Sequence, residues 1–150
     1  MKGNLIIEKL HLVEFKLLKG QIESPYGITN ETIDGYQFEV GFDVGFNIEQ
    51  KLIKADLQIK IDVKNRDENA EEKASGFFQF LYVYRVDNLV DLVEESPDKK
   101  SLLIHHNLAN AVSSISYSTS RGVLLTRFQG TILSDFILPV MDPNKLIEKI

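Results

Sequence analysis

Between Tyr36 and Ile48 the chain alternates without a fault: Tyr36, Phe38, Val40, Phe42, Val44, Phe46 and Ile48 are apolar, with Gln37, Glu39, Gly41, Asp43, Gly45 and Asn47 between them. A period of two puts one set on each face of an extended strand. At about 3.3 Å per residue this stretch spans roughly 43 Å, more than twice a usual strand. Residues 52–64 repeat the pattern, with Ile53, Ala55, Leu57, Ile59, Ile61 and Val63 set against Lys54, Asp56, Gln58, Lys60, Asp62 and Lys64. The two predict a long hairpin with one apolar and one polar face.

Residues 4–18 alternate imperfectly and predict a first strand, greasy on the side of Leu5, Ile7, Val13, Phe15 and Leu17 and mixed on the other. His11 on that side reads as a packed or partly exposed histidine rather than a ligand. Residues 77–86, FFQFLYVYRV, are apolar on both sides, the pattern of a strand covered on both faces. If helices of the chain cover one face of the resulting four-stranded antiparallel sheet, something else must cover the second. Large contiguous apolar patches are seldom bare on a soluble monomer, so self-association or polypeptide binding is the expected remedy.

The connections differ in character. Residues 19–35, KGQIESPYGITNETIDG, have the glycine, proline and Asn/Ser/Thr content of a long crossover loop that carries Tyr26 and Ile28. Residues 65–76, NRDENAEEKASG, form a charged hairpin loop. From residue 101 the spacing of Leu108, Val112, Ile115 and Thr119 predicts a long helix ended by Arg121-Gly122. Its Ala109, Ala111, Ser113, Ser114, Ser116, Ser118 and Ser120 make it small-sided, which suits either packing across a subunit boundary or packing on its own sheet with serines facing water. An extended apolar segment broken at Gly130 leads to Pro139, and Asp142-Pro143 opens a terminal helix as N-cap and first helical residue.

The chain's 150 residues suit one domain, residues 1–150, with a core that needs neither metal nor disulfide. It has no cysteine, which removes disulfides, thiolate nucleophiles and cysteine-based zinc sites. A formal charge of -5 disfavours nucleic acid as a partner, because phosphate-backbone binding needs clustered Lys and Arg. Charges interrupt MKGNLIIEKLHLVEF, so a signal core and a membrane span are not expected and cytoplasmic residence is the default.

Strand, long crossover, two long alternating strands, an aromatic strand, a long helix with AVSSISYSTSRG at 111–122, then Leu138-Pro139-Val140 and a helix: this order resembles the SecB family of bacterial protein-export chaperones over nearly the whole chain. The resemblance implies an α+β fold, a four-stranded antiparallel sheet with a long helix and a short C-terminal helix on one face, assembled as a homotetramer, a dimer of dimers. It implies an ATP-independent holdase without cofactor or metal, which binds unfolded polypeptide clients in apolar grooves and passes them to the SecA motor for export. Position by position, Tyr26, Ile28, Leu124, Phe128 and Phe136 match groove-lining regions. Phe42, Phe46, Phe78 and Tyr82 are sheet aromatics placed to floor the groove; aromatic rings give large contact area with little sequence demand.

Acidic residues on the outward sheet face recruit the motor in that family. Glu14 matches one such position, but the next falls near Leu18, and no acid lies between Phe77 and Val86. The sequence also stops within the last helix, before the polar tail of typical members. A family relative devoted to one client, such as an antitoxin-protecting chaperone, is therefore an alternative. Enzyme chemistry has little to build on: His105 and His106 point about 100° apart on a helix, the serines lack nucleophile-elbow glycines, and Asp56 and Asp62 sit on a polar strand face. A small-molecule or lipid carrier is the second class, because an aromatic sheet facing helices can enclose a cavity.

Overall fold

The computed structural model describes residues 3–67, 69 and 71–147. After a 3₁₀ turn at Ile7–Lys9 come β1 (Leu10–Glu23), β2 (Ile33–Asn47), β3 (Leu52–Asn65) and β4 (Ser75–Val86). A small pair, β5 (Val93–Glu95) and β6 (Leu102–Ile104), precedes α1 (His106–Arg127), and α2 (Pro143–Ile147) closes the described chain. The four long strands form one antiparallel sheet in the order β1-β4-β3-β2, with β5 and β6 a separate hairpin. Both helices lie on one face, as the sequence predicts.

The alternating strands pair in the register their apolar positions demand. Phe42 sits opposite Leu57, Leu57 opposite Phe80, and Phe80 opposite Leu17, so one row crosses the whole sheet on the inner face. A one-residue slip would turn each set outward, so the pattern holds the register. Ile53, Leu57, Ile59, Ile61, Phe80 and Tyr82 are fully buried at its centre.

β1 explains its own imperfect pattern. The register shifts between Leu12 and Glu14 and again between Leu17 and Lys19. Each bulge reverses the phase, so Leu10 and Leu12 face inward, then Phe15 and Leu17, then Gly20 and Ile22, opposite Val86, Tyr84, Tyr82, Phe80, Phe78 and Gly76. The strand begins and ends later than the alternation of residues 4–18 predicts, because bulges hide its continuation through Glu23. The crossover is correspondingly short, residues 24–32.

α1 packs on β3 and β4 through its smallest side chains. The Ser120 hydroxyl lies 2.6 Å from the Tyr82 hydroxyl and the Ser116 hydroxyl 2.8 Å from that of Tyr84, all buried. Ser113, also buried, donates to the Ala109 carbonyl at 2.9 Å. Ser116 and Ser120 thus face the chain's own sheet, Ser113 bonds back to its own helix and Ser118 faces solvent, so the small side packs on its own sheet with only some of its serines toward water. Small residues let the helix approach, and hydroxyl pairing satisfies phenols that burial would otherwise orphan.

The helix does not stop at Gly122. It runs to Arg127, and the Phe128 N–H bonds the Leu124 carbonyl at 2.9 Å. Gly130, at φ 76°, makes the break. At the other end the His105 ring nitrogen accepts the Asn107 N–H at 3.1 Å, capping a helix that starts five residues after residue 101. Asp142 caps α2 as predicted, its carboxylate accepting the Asn144 N–H at 3.0 Å.

Candidate functional site

α1 runs along β4 from Tyr84, through Tyr82, to Phe78, where Phe128 meets Phe78 edge-on at 5.6 Å. Ser116 and Ser120 mark its floor side. Residues 117 and 121 lie about 100° to one side of that floor and residues 115 and 119 about 100° to the other. The Tyr117 hydroxyl donates to the Pro139 carbonyl at 2.6 Å and the Arg121 Nε to the Leu138 carbonyl at 2.7 Å, so the segment after α1 lies on the 117/121 side. That segment reaches β2, with Phe136 5.1 Å from Tyr36 and 5.8 Å from Phe38. The opposite flank of α1, carrying Ile115, therefore overlooks β1.

Over β1 the inner face is left open. Leu12 is 45% exposed and Phe15 40%, although Phe15 packs on Tyr82 at 5.2 Å and Phe80 at 6.1 Å. Ile115 and the bulge residues Val13 and Leu18 add exposed apolar surface nearby. The surplus that the sequence predicts on the outward face of β4 lies chiefly here. On that outward face Phe77, Leu81 and Val83 are half-buried and hemmed by polar groups: Lys19 stands 5.3 Å over the Phe77 ring, and Gln79 donates to Asp56 at 2.8 Å. Within the described residues strand β4 is thus buried on one face and half-buried on the other.

The predicted residues divide among several places. Phe42 and Phe46 come together at the end of β2 in an apolar crevice of about 40 Å³, walled by Val44, Ile53, Ala109 and Val112 and roofed by Leu102 and Ile104 of the β5–β6 hairpin. Phe78, Phe128 and Phe136 come together at the other end of α1 with Tyr36 and Phe38; Phe128 and Phe136 are 6.3 Å apart. Leu124 is buried under α1, and Tyr82 is bonded to Ser120 beneath the helix, away from both clusters. Ile28 is buried, whereas Tyr26 is fully exposed at the crossover turn closed by the Ile28 N–H and the Pro25 carbonyl. Because β1 ends opposite Ser75 and β2 begins opposite Asn65, the crossover arches over the same end of the sheet as the Phe136 cluster.

The hairpin was not anticipated from sequence. Its strands are three residues each, too short for periodicity, and Leu102, Leu103 and Ile104 are absorbed into the helical pattern that follows them. A lone three-residue pair is marginal, and bonds at both its ends sustain it: at the base the His105 N–H bonds the Leu92 carbonyl at 2.7 Å, and at the turn the Ser96 N–H bonds the Ser101 carbonyl at 2.9 Å. Leu102 and Leu103 remain about two-fifths exposed.

Electrostatics are quiet on the inner face. Burial pushes the Tyr82 and Tyr84 hydroxyls up to about 12, against the downward pull of their serine partners. Burial also raises Tyr117, partly offset by the Arg121 charge. On the outward face Glu14 is paired with Lys16 at 3.0 Å, and Asp87 is lowered by hydrogen bonds from His11 and Arg85. Among the described residues no group of His, Asp and Glu has the arrangement of a metal site. No described helix is long and apolar enough to cross a membrane.

No protein-family model matches the sequence, and no curated protein matches it. Among solved structures the chain is similar to a SecB-like chaperone from Mycobacterium tuberculosis in complex with a ChAD peptide from an antitoxin, at TM-score 0.62 over 89% of this chain and 91% of that one. The chain has the SecB-like fold. Sequence identity to that chaperone is 12%, so the likeness lives in topology and core pattern. A protein of unknown function from Streptococcus agalactiae aligns at TM-score 0.33 and 12% identity, over 87% of this chain and 97% of that one. Leu102 and Leu103 beside one aromatic cluster, Tyr26 beside the other and the open β1 flank are among the exposed apolar surfaces of the described residues.

Proposed function

We propose that this chain is an ATP-independent chaperone that holds non-native polypeptide on the apolar surface flanking α1, and that it does so as a self-associated assembly, a dimer of dimers. The observation that carries the reading is the pair of aromatic clusters at the two ends of α1, each beside an exposed apolar element: Leu102 and Leu103 at one, Tyr26 at the other. Extended polypeptide has its side chains spaced along such a path, and aromatic contact tolerates varied sequence. Of the predicted residues, Tyr26 and Phe46 keep exposed surface to offer a client, whereas Phe136 is buried. Phe42, Phe78, Tyr82, Leu124, Phe128 and Ile28 are buried and shape the surface from beneath.

A dedicated client fits better than general export. The solved neighbour holds an antitoxin peptide, and Glu14, the one candidate for motor contact, is neutralised by Lys16. The carrier reading loses ground for a physical reason: the apolar crevice measures about 40 Å³, whereas sites for small organic ligands run to about 300–1,000 Å³. Cytoplasmic residence accords with a chaperone that meets nascent clients.

The test is light scattering from a chemically unfolded protein diluted into buffer without nucleotide. The chain is expected to suppress scattering at near-stoichiometric ratio, and Tyr26→Asp or Leu102→Asp to weaken suppression while leaving its sedimentation unchanged. Scattering that the chain leaves untouched would contradict the reading.

A further inference from the structure

The segment after α1 does not close down on the helix everywhere. Between the 117/121 side of α1 and residues 140–146 a cleft of about 200 Å³ remains, with Ser114, Ser118 and Arg121 on the helix wall and Val140, Met141 and Leu146 on the other. Arg121 is anchored in it by one bond, Nε to the Leu138 carbonyl at 2.7 Å. A guanidinium carries five N–H donors, and the terminal nitrogens of Arg121 meet no hydrogen-bond acceptor and no carboxylate within ion-pair distance among the described residues. Asp142, between the lining residues Met141 and Pro143, turns one carboxylate oxygen to capping α2 and lies beyond ion-pair distance of Arg121.

We propose that this cleft binds a carboxylate attached to a short aliphatic group. The planar fork of Arg121 suits the two oxygens of a carboxylate, with the Ser118 hydroxyl, which has no partner among the described residues, as a further donor. The opposite wall is aliphatic, and Val140 is 84% exposed, so a branched side chain next to the carboxylate gains cover there. A phosphate dianion asks for more donors than one arginine and a serine supply. The volume admits about one residue of this kind and no larger ligand. That the carboxylate belongs to a captured polypeptide, as its C-terminus or as an acidic side chain beside an aliphatic one, rests on the function proposed above; the site itself does not.

The probe is N-acetyl-leucine, titrated against the intact chain while the Arg121 Nε–H resonance is followed by NMR, with N-acetyl-leucinamide as the uncharged control. The acid should give saturable shifts at Arg121, Ser118 and Met141, and the amide should bind about tenfold more weakly, since the charge-assisted pair is lost. Ser118→Asp leaves Arg121 and its Leu138 bond in place and sets a competing carboxylate one turn away, so it should abolish acid binding without lowering thermal stability. Ser118→Asn should retain it. Equal binding of acid and amide, or retention in Ser118→Asp, would overturn the site. Peptides with a free terminus, an amidated terminus, or an amidated terminus and an internal Leu-Glu pair then assign the source, and failure of all three to shift Arg121 overturns the polypeptide assignment. Saturable acetyl-leucine binding by a chain that fails to suppress aggregation would strike the chaperone reading alone.

Discussion

At the scale of single residues, the two phenol-serine pairs under α1 carry most of what is unusual in the core. Ser120→Ala leaves the Tyr82 hydroxyl buried without its partner, which costs about 1–3 kcal/mol in denaturant unfolding. Adding Tyr82→Phe to Ser120→Ala should recover part of that loss, because removing both polar groups is gentler than stranding one. The same pairs set an alkaline limit. Both tyrosines have folded values of about 12, above the ordinary 10.0, so the folded state binds their protons more tightly than the unfolded one. Their contribution is whole below pH 10 and is lost as pH rises from 10 through 12. Tyrosinate absorbance should therefore show two groups ionising last, together with unfolding; their ionisation near pH 10 in a folded chain would contradict the burial.

At the scale of elements, two glycines test how the helix and the segment after it are held. Gly122 lies within α1 with open space where a Cβ would stand. Gly122→Ala should stabilise the chain by about 0.5–1 kcal/mol, whereas a helix ending there with a left-handed glycine would be destabilised by alanine. Thermal unfolding of the one variant decides between the sequence reading and the structure. Gly76 is the opposite case: a Cβ there would stand 2.8 Å from Leu133 Cδ1, where the post-helix segment crosses β4. Gly76→Ala should cost about 1–3 kcal/mol by overpacking.

Much at this scale was legible in the sequence, and what was not has definite causes. The long hairpin β2–β3 declares itself because period-two alternation runs unbroken from Tyr36 to Phe46 and from Ile53 to Val63. β1 is half-legible because two bulges reverse its phase at Val13 and Leu18. The β5–β6 hairpin left no periodic signal. The end of α1 was misplaced because Arg-Gly is a common stop, and here Leu124 and Phe128 bury enough surface to carry the helix past it. For the candidate site the sequence named aromatic residues without their depth: Phe42, Phe78 and Tyr82 are as apolar as Tyr36 and Phe46, and only the position of α1 decides which are sealed.

For the whole molecule the question is what covers the inner face beside β1. Leu12 and Phe15 on β1, with Ile115 on the facing flank of α1, are left partly exposed by the described residues, and the bulges of β1 make it a poor template for adding another strand. Packing of a second copy through side chains is the expected cover. Sedimentation velocity at micromolar concentration should show an assembly, and Phe15→Glu should shift it toward the single subunit because a charge would then be buried at the contact. A wild-type chain that sediments as a monomer would refute self-association. Since Phe15 lies away from both aromatic clusters, the variant also separates assembly from capture.

The surfaces and the function meet in one measurement: hydrogen–deuterium exchange of the chain with and without a permanently unfolded polypeptide. The account predicts new protection in the crossover around Tyr26, in β2 from Tyr36 to Phe46 and in Leu102–Ile104, with the outward face of β4 unchanged. No protection anywhere, or protection confined to the outward row of Phe77, Leu81 and Val83, would contradict it.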